Sequence, residues 1–295
     1  MSARAENASF RFPGIAAAVD GNTAVVACER ESSDAAGAFP ITPSTQMGEQ
    51  WAEAAAAGHL NIAGRPLIFI EPEGEHAAAA VTAGLAMGGL RAANFSSGQG
   101  IAYMHESLYA AVGKRLTYVL NMGCRAMTKA TLNVHAGHDD YHCVDDTGFF
   151  QLFARNAQHA ADLNVIAHRI AELALTPGLV AQDGFLTTHL IESVRLPERA
   201  LIDEFLGRPE DLIETPTAAQ RLLFGQTRRL RFNPRVYFSA EHGNRFYCIG
   251  SLNDGPAALR GTNLHVRERF FDMRGGTAMI KVKMGKKEER RLSLS

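Results

Sequence analysis

The stretch PLIFIEPEGEHAAAAVTAGLAMGGLRAANFS, Pro66 to Ser96, decides the fold. Pro66–Glu71 is an apolar run of the length of one buried strand, and Arg91–Ser96 is a second. Between them, Gly74–Leu90 is long enough for a helix. Helix propensity favours its alanines but not Gly74, Gly84, Gly88 and Gly89, so close packing on a sheet or another subunit is the better reason for the glycines. Working outward, Leu116–Asn121 and Gly178–Gln182 read as further strands. Gln46–Ala57, Ile101–Val112 and Ala157–Leu173 read as further helices. Strands alternating with helices over short connections predict an α/β fold, a parallel sheet with helices on both faces.

The chain has 295 residues, 46% hydrophobic and 21% charged, which excludes a disordered, collagen-like or disulfide-stapled protein. No stretch approaches eighteen uninterrupted apolar residues, so no membrane span is expected. The start, MSARAENASFRF, lacks a signal-type apolar core, and a cytoplasmic location is expected. Cys28, Cys124, Cys143 and Cys248 lie far apart and form no metal-cluster spacing, so they read as reduced thiols. The net charge of −1 conceals an asymmetry. Residues 1–220 hold 14 Lys+Arg against 25 Asp+Glu, whereas residues 221–295 hold 16 against 6. That break predicts an N-terminal arm over 1–19, a domain over 20–225 and a basic C-terminal segment over 226–295.

In such sheets a ligand lies outside the carboxyl ends of the strands, beside helix N-termini. Three junctions therefore carry the chemistry. In Phe39-Pro-Ile-Thr42-Pro43, Thr42 suits an N-cap and Pro43 a first helical position; the same hydroxyl could also meet an anionic substrate. In Glu71-Pro-Glu-Gly-Glu75-His76, Glu75 opens the most apolar helix. A carboxylate there is partly desolvated, as proton transfer requires, or it only satisfies helix-end donors. Ser96-Ser-Gly-Gln-Gly100 matches neither phosphate-binding fingerprint.

FPITPSTQMGE (39–49), EPEGEHAAAA (71–80), NFSSGQG (94–100), the strand end NMGCRA (121–126) and QDGFLTTH (182–189) occur in this order. The ordered set resembles the first domain of the 2-oxoacid:ferredoxin or flavodoxin oxidoreductases, of which pyruvate:ferredoxin oxidoreductase is a member. The resemblance runs from Asp20 to about His189 and more loosely to Gly225. It implies the pyrimidine-binding half of a thiamine diphosphate site and oxidative decarboxylation to acyl-coenzyme A. By motif it places Glu75 on the pyrimidine N1′, Thr42 on the 2-oxoacid and Arg125 on the substrate carboxylate. An Arg fork can hold that carboxylate in a bidentate way, which Lys could not copy.

The family's magnesium motif, Gly-Asp-Gly followed by Asn, does not occur, nor does a cysteine cluster. The resemblance therefore implies a partner domain or chain holding the diphosphate with Mg2+ and the iron–sulfur clusters. It also implies ferredoxin or flavodoxin as electron acceptor. The Ala/Gly-rich helix faces point to a homo-oligomer, and composition and charge give no part to membrane or nucleic acid. Other readings stay open: another thiamine-dependent lyase or transferase, or a non-catalytic scaffold. Two departures are local. Glu71-Pro-Glu-Gly-Glu75 replaces the usual Glu-Met-Gln-Ser-Glu, and Gly137-His138-Asp139-Asp140 replaces a Gly-Asp-His loop. His135, His138 and His142 are ligand-type residues without a fixed metal motif, so no metal is expected there and contact with substrate is open. The resemblance stops at about Thr227, ahead of Arg228-Arg-Leu-Arg231 and the 286–291 charge run. That segment reads as a natural basic tail for an acidic partner, as a nucleic-acid patch disfavoured by the acidic remainder, or as an appended non-native peptide after a lost frame.

Overall fold

A computed structural model of the chain describes residues 11–129, 131 and 133–231, and after them only the backbone of short antiparallel strands. The 286–291 charge run lies outside the residues whose side chains are described. In chain order the elements are β1 (Ile15–Val19), α1 (Gly21–Ser32), β2 (Ala35–Gly37), α2 (Thr45–Ala56), β3 (Ile68–Ile70) and α3 (Glu75–Met87). There follow β4 (Ala92–Ser96), α4 (Gln99–Gly113), β5 (Val119–Cys124), α5 (Asp139–His142), β6 (Phe150–Ala154), α6 (Ala157–Ala174) and β7 (Gly178–Asp183). Last come β8 (Glu192–Leu196), α7 (Arg199–Leu206), β9 (Leu212–Glu214), α8 (Ala218–Phe224) and β10 (Thr227–Arg229).

Six strands form one sheet in the order β3-β2-β4-β5-β7-β6. Every pairing in it is parallel, with Ala93 opposite Val119 and Met122 opposite Ala181. Side chains alternate across a strand, so neighbouring residues serve opposite faces. On one face Leu120, Met122 and Cys124 of β5 meet Ile101, Met104, Leu108 and Ala111 of α4, with Ala79 and Ala86 of α3. On the other, Ala93 and Phe95 of β4 meet Met47 and Trp51 of α2, Val25 and Val26 of α1, and Ala160 of α6. Both faces are thus covered, as the alternation of elements required.

The expected strands and helices lie within a few residues of the observed ones. Several elements carried too little local signal. β2 is Ala-Ala-Gly, fully buried but small. Helix α1 buries Asn22, Glu29 and Ser32 beside Val25, Val26 and Cys28, so no polar stripe gives it a helical period. The arm expected over 1–19 contains β1, which pairs antiparallel with β8, Ile15 opposite Leu196.

The boundary expected at 225 is also crossed. β10 pairs with β9, and Arg228, Leu230 and Arg231 are all buried. Arg228 caps the end of α6, donating to the Glu172 and Leu173 carbonyls at 2.9 and 3.0 Å. Arg231 donates to Asp34 at 2.9 Å and to Glu172 at 3.1 Å. Glu172 also receives both arms of Arg91, at 2.8 and 2.9 Å. The start of the expected basic tail is therefore internal: Arg231 neutralises two buried carboxylates and Arg228 caps α6.

Candidate active site

β2 and β4 are neighbours, but the helices that follow them lie on opposite faces, α2 on one and α4 on the other. Such a divergence opens a crevice at the carboxyl ends of the two strands. The N-termini of α2, α3 and α4 follow the ends of β2, β3 and β4 and bring their positive dipole ends to the same edge.

The three expected site residues meet at this crevice. Arg125 directly follows β5 and is buried. Its Nη1 donates to the Thr42 carbonyl at 2.9 Å and its Nη2 to Gln99 Oε1 at 2.8 Å, while Nε is buried without a partner. Burial lowers the pKa of Arg125; the charges of Asp140 and Glu75 oppose this, which also places Glu75 within electrostatic reach. Glu75 is half-buried in the first turn of α3. It lies against the start of α4: a Cβ on Gly100 would stand 2.7 Å from Glu75 Cγ and 2.7 Å from Ser96 Oγ.

Thr42 departs from its expected local role. Helix α2 begins at Thr45, and the Ser44 amide and hydroxyl both turn back to the Ile41 carbonyl, at 2.9 and 2.8 Å. Thr42 sits in that turn rather than capping the helix. Its side chain is exposed and it precedes a cis bond to Pro43. The turn is held from beneath by Asn22, whose amide donates to the Pro43 carbonyl at 2.8 Å and accepts from Gln182 at 3.3 Å.

Gly98 is the position where backbone freedom is indispensable. Its φ is +54°, and a Cβ there would fall 2.1 Å from Arg125 Nε. Ser96 Oγ, Ser97 Oγ and Gln99 Nε2 in the same turn are buried without partners. Buried polar groups are ordinarily paired, so this concentration at one crevice points to a polar ligand.

Asp140 was missed from sequence. Among Gly137, His138 and Asp139 it looked like one more member of a polar loop, yet it is completely buried beneath the crevice. The neighbouring histidines do not converge. His138 pairs with Asp183 at 2.9 Å, His142 with Asp145 at 2.9 Å, and His135 lies by the Phe185 ring. Among the described residues, no three His, Cys, Asp or Glu side chains come together as a metal site, and no helix is long and apolar enough to cross a membrane.

Residues 27–244 match the family model described as pyruvate flavodoxin/ferredoxin oxidoreductase, thiamine diphosphate-binding. The chain belongs to this family. The match continues past Thr227, where the sequence reading had it stop, in keeping with the buried Arg228 and Arg231. Within the family, pyruvate synthase subunit PorA of Pyrococcus furiosus is 41% identical over 175 residues, 59% of this chain and 43% of that protein. The pyruvate-flavodoxin oxidoreductase of Klebsiella pneumoniae is 32% identical over 254 residues, 84% of this chain and 22% of that one. The chain thus spans less than half the length of either relative. A 2-oxoglutarate:ferredoxin oxidoreductase from Magnetococcus marinus superposes with a TM-score of 0.55 at 22% identity, covering 64% of this chain and 32% of that one. This last likeness supports the shared fold.

Proposed function

We propose that this chain supplies the pyrimidine-side half of the active site of a thiamine diphosphate-dependent 2-oxoacid oxidoreductase. The observation that carries the reading is the convergence of Arg125, Thr42 and Glu75 at the β2–β4 crevice. The residues present fit the group: a half-buried carboxylate rests on the cradle at Gly100, beside the unpartnered Ser96 and Ser97 hydroxyls.

When bound, thiamine diphosphate supplies a nucleophilic carbon for the 2-oxo group and a sink for the electron pair left by CO2. Glu75 would hold the cofactor by a hydrogen bond at the pyrimidine N1′. Arg125 binds the substrate carboxylate through the N–H groups not given to Thr42 and Gln99; this charge-assisted contact orients the 2-oxo carbon. The Thr42 hydroxyl, exposed at the turn, orients the carbonyl. The buried floor formed by Ser96, Ser97 and Gly98 excludes water from that side.

The diphosphate and Mg2+ fall to a partner domain or chain, since no Gly-Asp-Gly occurs here. The same partner assembly carries iron–sulfur clusters, coenzyme A accepts the acyl group, and ferredoxin or flavodoxin receives the electrons in the cytoplasm. The domain takes in β1 and extends at least as far as Arg231. The test is 2-oxoacid-driven viologen reduction by the assembled enzyme. Glu75→Gln is expected to abolish it while the fold survives, and full activity in that variant overturns the assignment. Turnover without viologen reduction would instead indicate a thiamine-dependent lyase or transferase.

A further inference from the structure

We infer that Asp140 is a positioning residue, which sets the place of Arg125 by tying the β4–α4 turn to the end of β5. Its side chain is fully buried. One oxygen, Oδ2, accepts from the backbone N–H of Gly98 at 2.7 Å and from that of Arg125 at 2.9 Å. The other, Oδ1, accepts from the Tyr141 N–H at 2.9 Å. One carboxylate therefore joins two neighbouring strands at the two residues that determine where the guanidinium lies.

The two anchored residues depend on each other. Gly98 adopts its positive φ directly beneath Arg125, where a single added carbon would collide with Nε. Arg125 is then fixed at both ends, by Asp140 at its backbone N–H and by Thr42 and Gln99 at its guanidinium. Gln99, next in chain to Gly98, moves with the same turn. A shift of the Gly98 backbone would displace both the arginine and the amide that holds it. Asp140 also supplies a negative charge that supports the Arg125 cation against burial. Removing a remote support of this kind misplaces a binding group without deleting it.

Asparagine at 140 would keep the volume but replace one acceptor by a donor. Its amide nitrogen would then face either the Tyr141 N–H or the Gly98 and Arg125 N–H pair, donor against donor. With the nitrogen toward Tyr141 the bonds to Gly98 and Arg125 persist but lose their charge assistance, and with it toward that pair both are lost; either way the hold on Arg125 weakens without opening a cavity.

The inference rests on the reading of Arg125 as the carboxylate-binding residue, and the experiment separates the two. In the assembled enzyme, Asp140→Asn is expected to raise the KM for the 2-oxoacid about tenfold or more, with kcat changed by less than about threefold. Calorimetric affinity for oxamate, an unreactive 2-oxoacid mimic, should weaken by a similar factor, while affinity for thiamine diphosphate stays put. Unchanged KM and oxamate affinity in a folded variant overturn the inference, as does an equal loss toward thiamine diphosphate. If Asp140→Asn does not fold, Asp140→Ser is measured in the same way; failure of both to fold makes the residue structural and also overturns it. Wild-type enzyme inert toward 2-oxoacids and oxamate would refute the functional reading itself, a distinct result.

Discussion

Replacing Arg231 by alanine tests whether the segment after residue 225 belongs to the domain. Arg231 bridges Asp34 and Glu172, both buried, and also donates to the Gly89 carbonyl at 3.2 Å. Without it, Glu172 keeps the bidentate Arg91, and Asp34 keeps Asn61, the Arg91 amide and the more distant, half-exposed Arg65 at 3.6 Å. Breaking a buried pair from one side costs about 3–5 kcal/mol, because a desolvated charge is left uncompensated. Burial alone would push the pKa of Glu172 up, but Arg91 and Arg231 overcome it and hold it at about 2, against an ordinary 4.5. Arg91 and Arg231 share that depression, so it fixes the sign of the Arg231 contribution. For a domain of this size the expected fall in Tm at neutral pH is roughly 10 °C. The sign of the pH dependence follows. A depressed carboxylate stabilises the fold above its unfolded pKa, and the contribution is lost as pH falls from about 4.5 toward about 2. Asp34, also depressed, adds in the same direction. Thermal unfolding of wild type and Arg231→Ala, followed by circular dichroism across this range, should show the gap narrowing with acidification. A gap under about 2 °C at neutral pH, or one that does not respond to pH, refutes the reasoning.

Three further outcomes are expected. Gly98→Ala drives a Cβ into Arg125 and should weaken oxamate binding at least about tenfold with little change in thiamine diphosphate affinity. Arg125→Ala should lower kcat/KM for the 2-oxoacid by about 1.5–3 kcal/mol, the scale of one charge-assisted contact; an unchanged value removes Arg125 from the site. Leu120→Ala, at a residue with 0% exposure, should destabilise the domain by about 2–5 kcal/mol in urea unfolding and leave cofactor affinity intact.

The legible part of the fold was the part with a strong local signal. Ile68–Ile70 and Ala92–Ser96 are apolar enough to announce themselves, and the Ala/Gly run between them marks a closely packed helix. The candidate site residues stood out for a different reason. Thr42, Glu75 and Arg125 sit in short motifs whose order along the chain matches the family's, and the topology brings strand ends in that order to one edge. What escaped was whatever gains its meaning from a distant partner. Helix α1 hides behind Glu29, buried only because Asn121, Asn164, Ser33 and His168 all reach it. Asp140 is one polar residue among several until its three backbone donors are in place. Arg228 and Arg231 read as a solvated run because their partners Glu172 and Asp34 lie far back in the chain.

Periodicity and motif order were enough to predict a parallel α/β sheet and to single out three candidate residues, which the fold brings to one edge. Both depend on neighbours within a few positions, and such information survives in the unfolded chain. Long-range contacts alone determined that β2 and β4 would lie side by side with their helices on opposite faces, that Asp140 would sit beneath Arg125, and that the basic run after residue 225 would be buried. Burying a charge is favourable only where its counter-charge has already been placed by the rest of the fold. No local window of the sequence contains both.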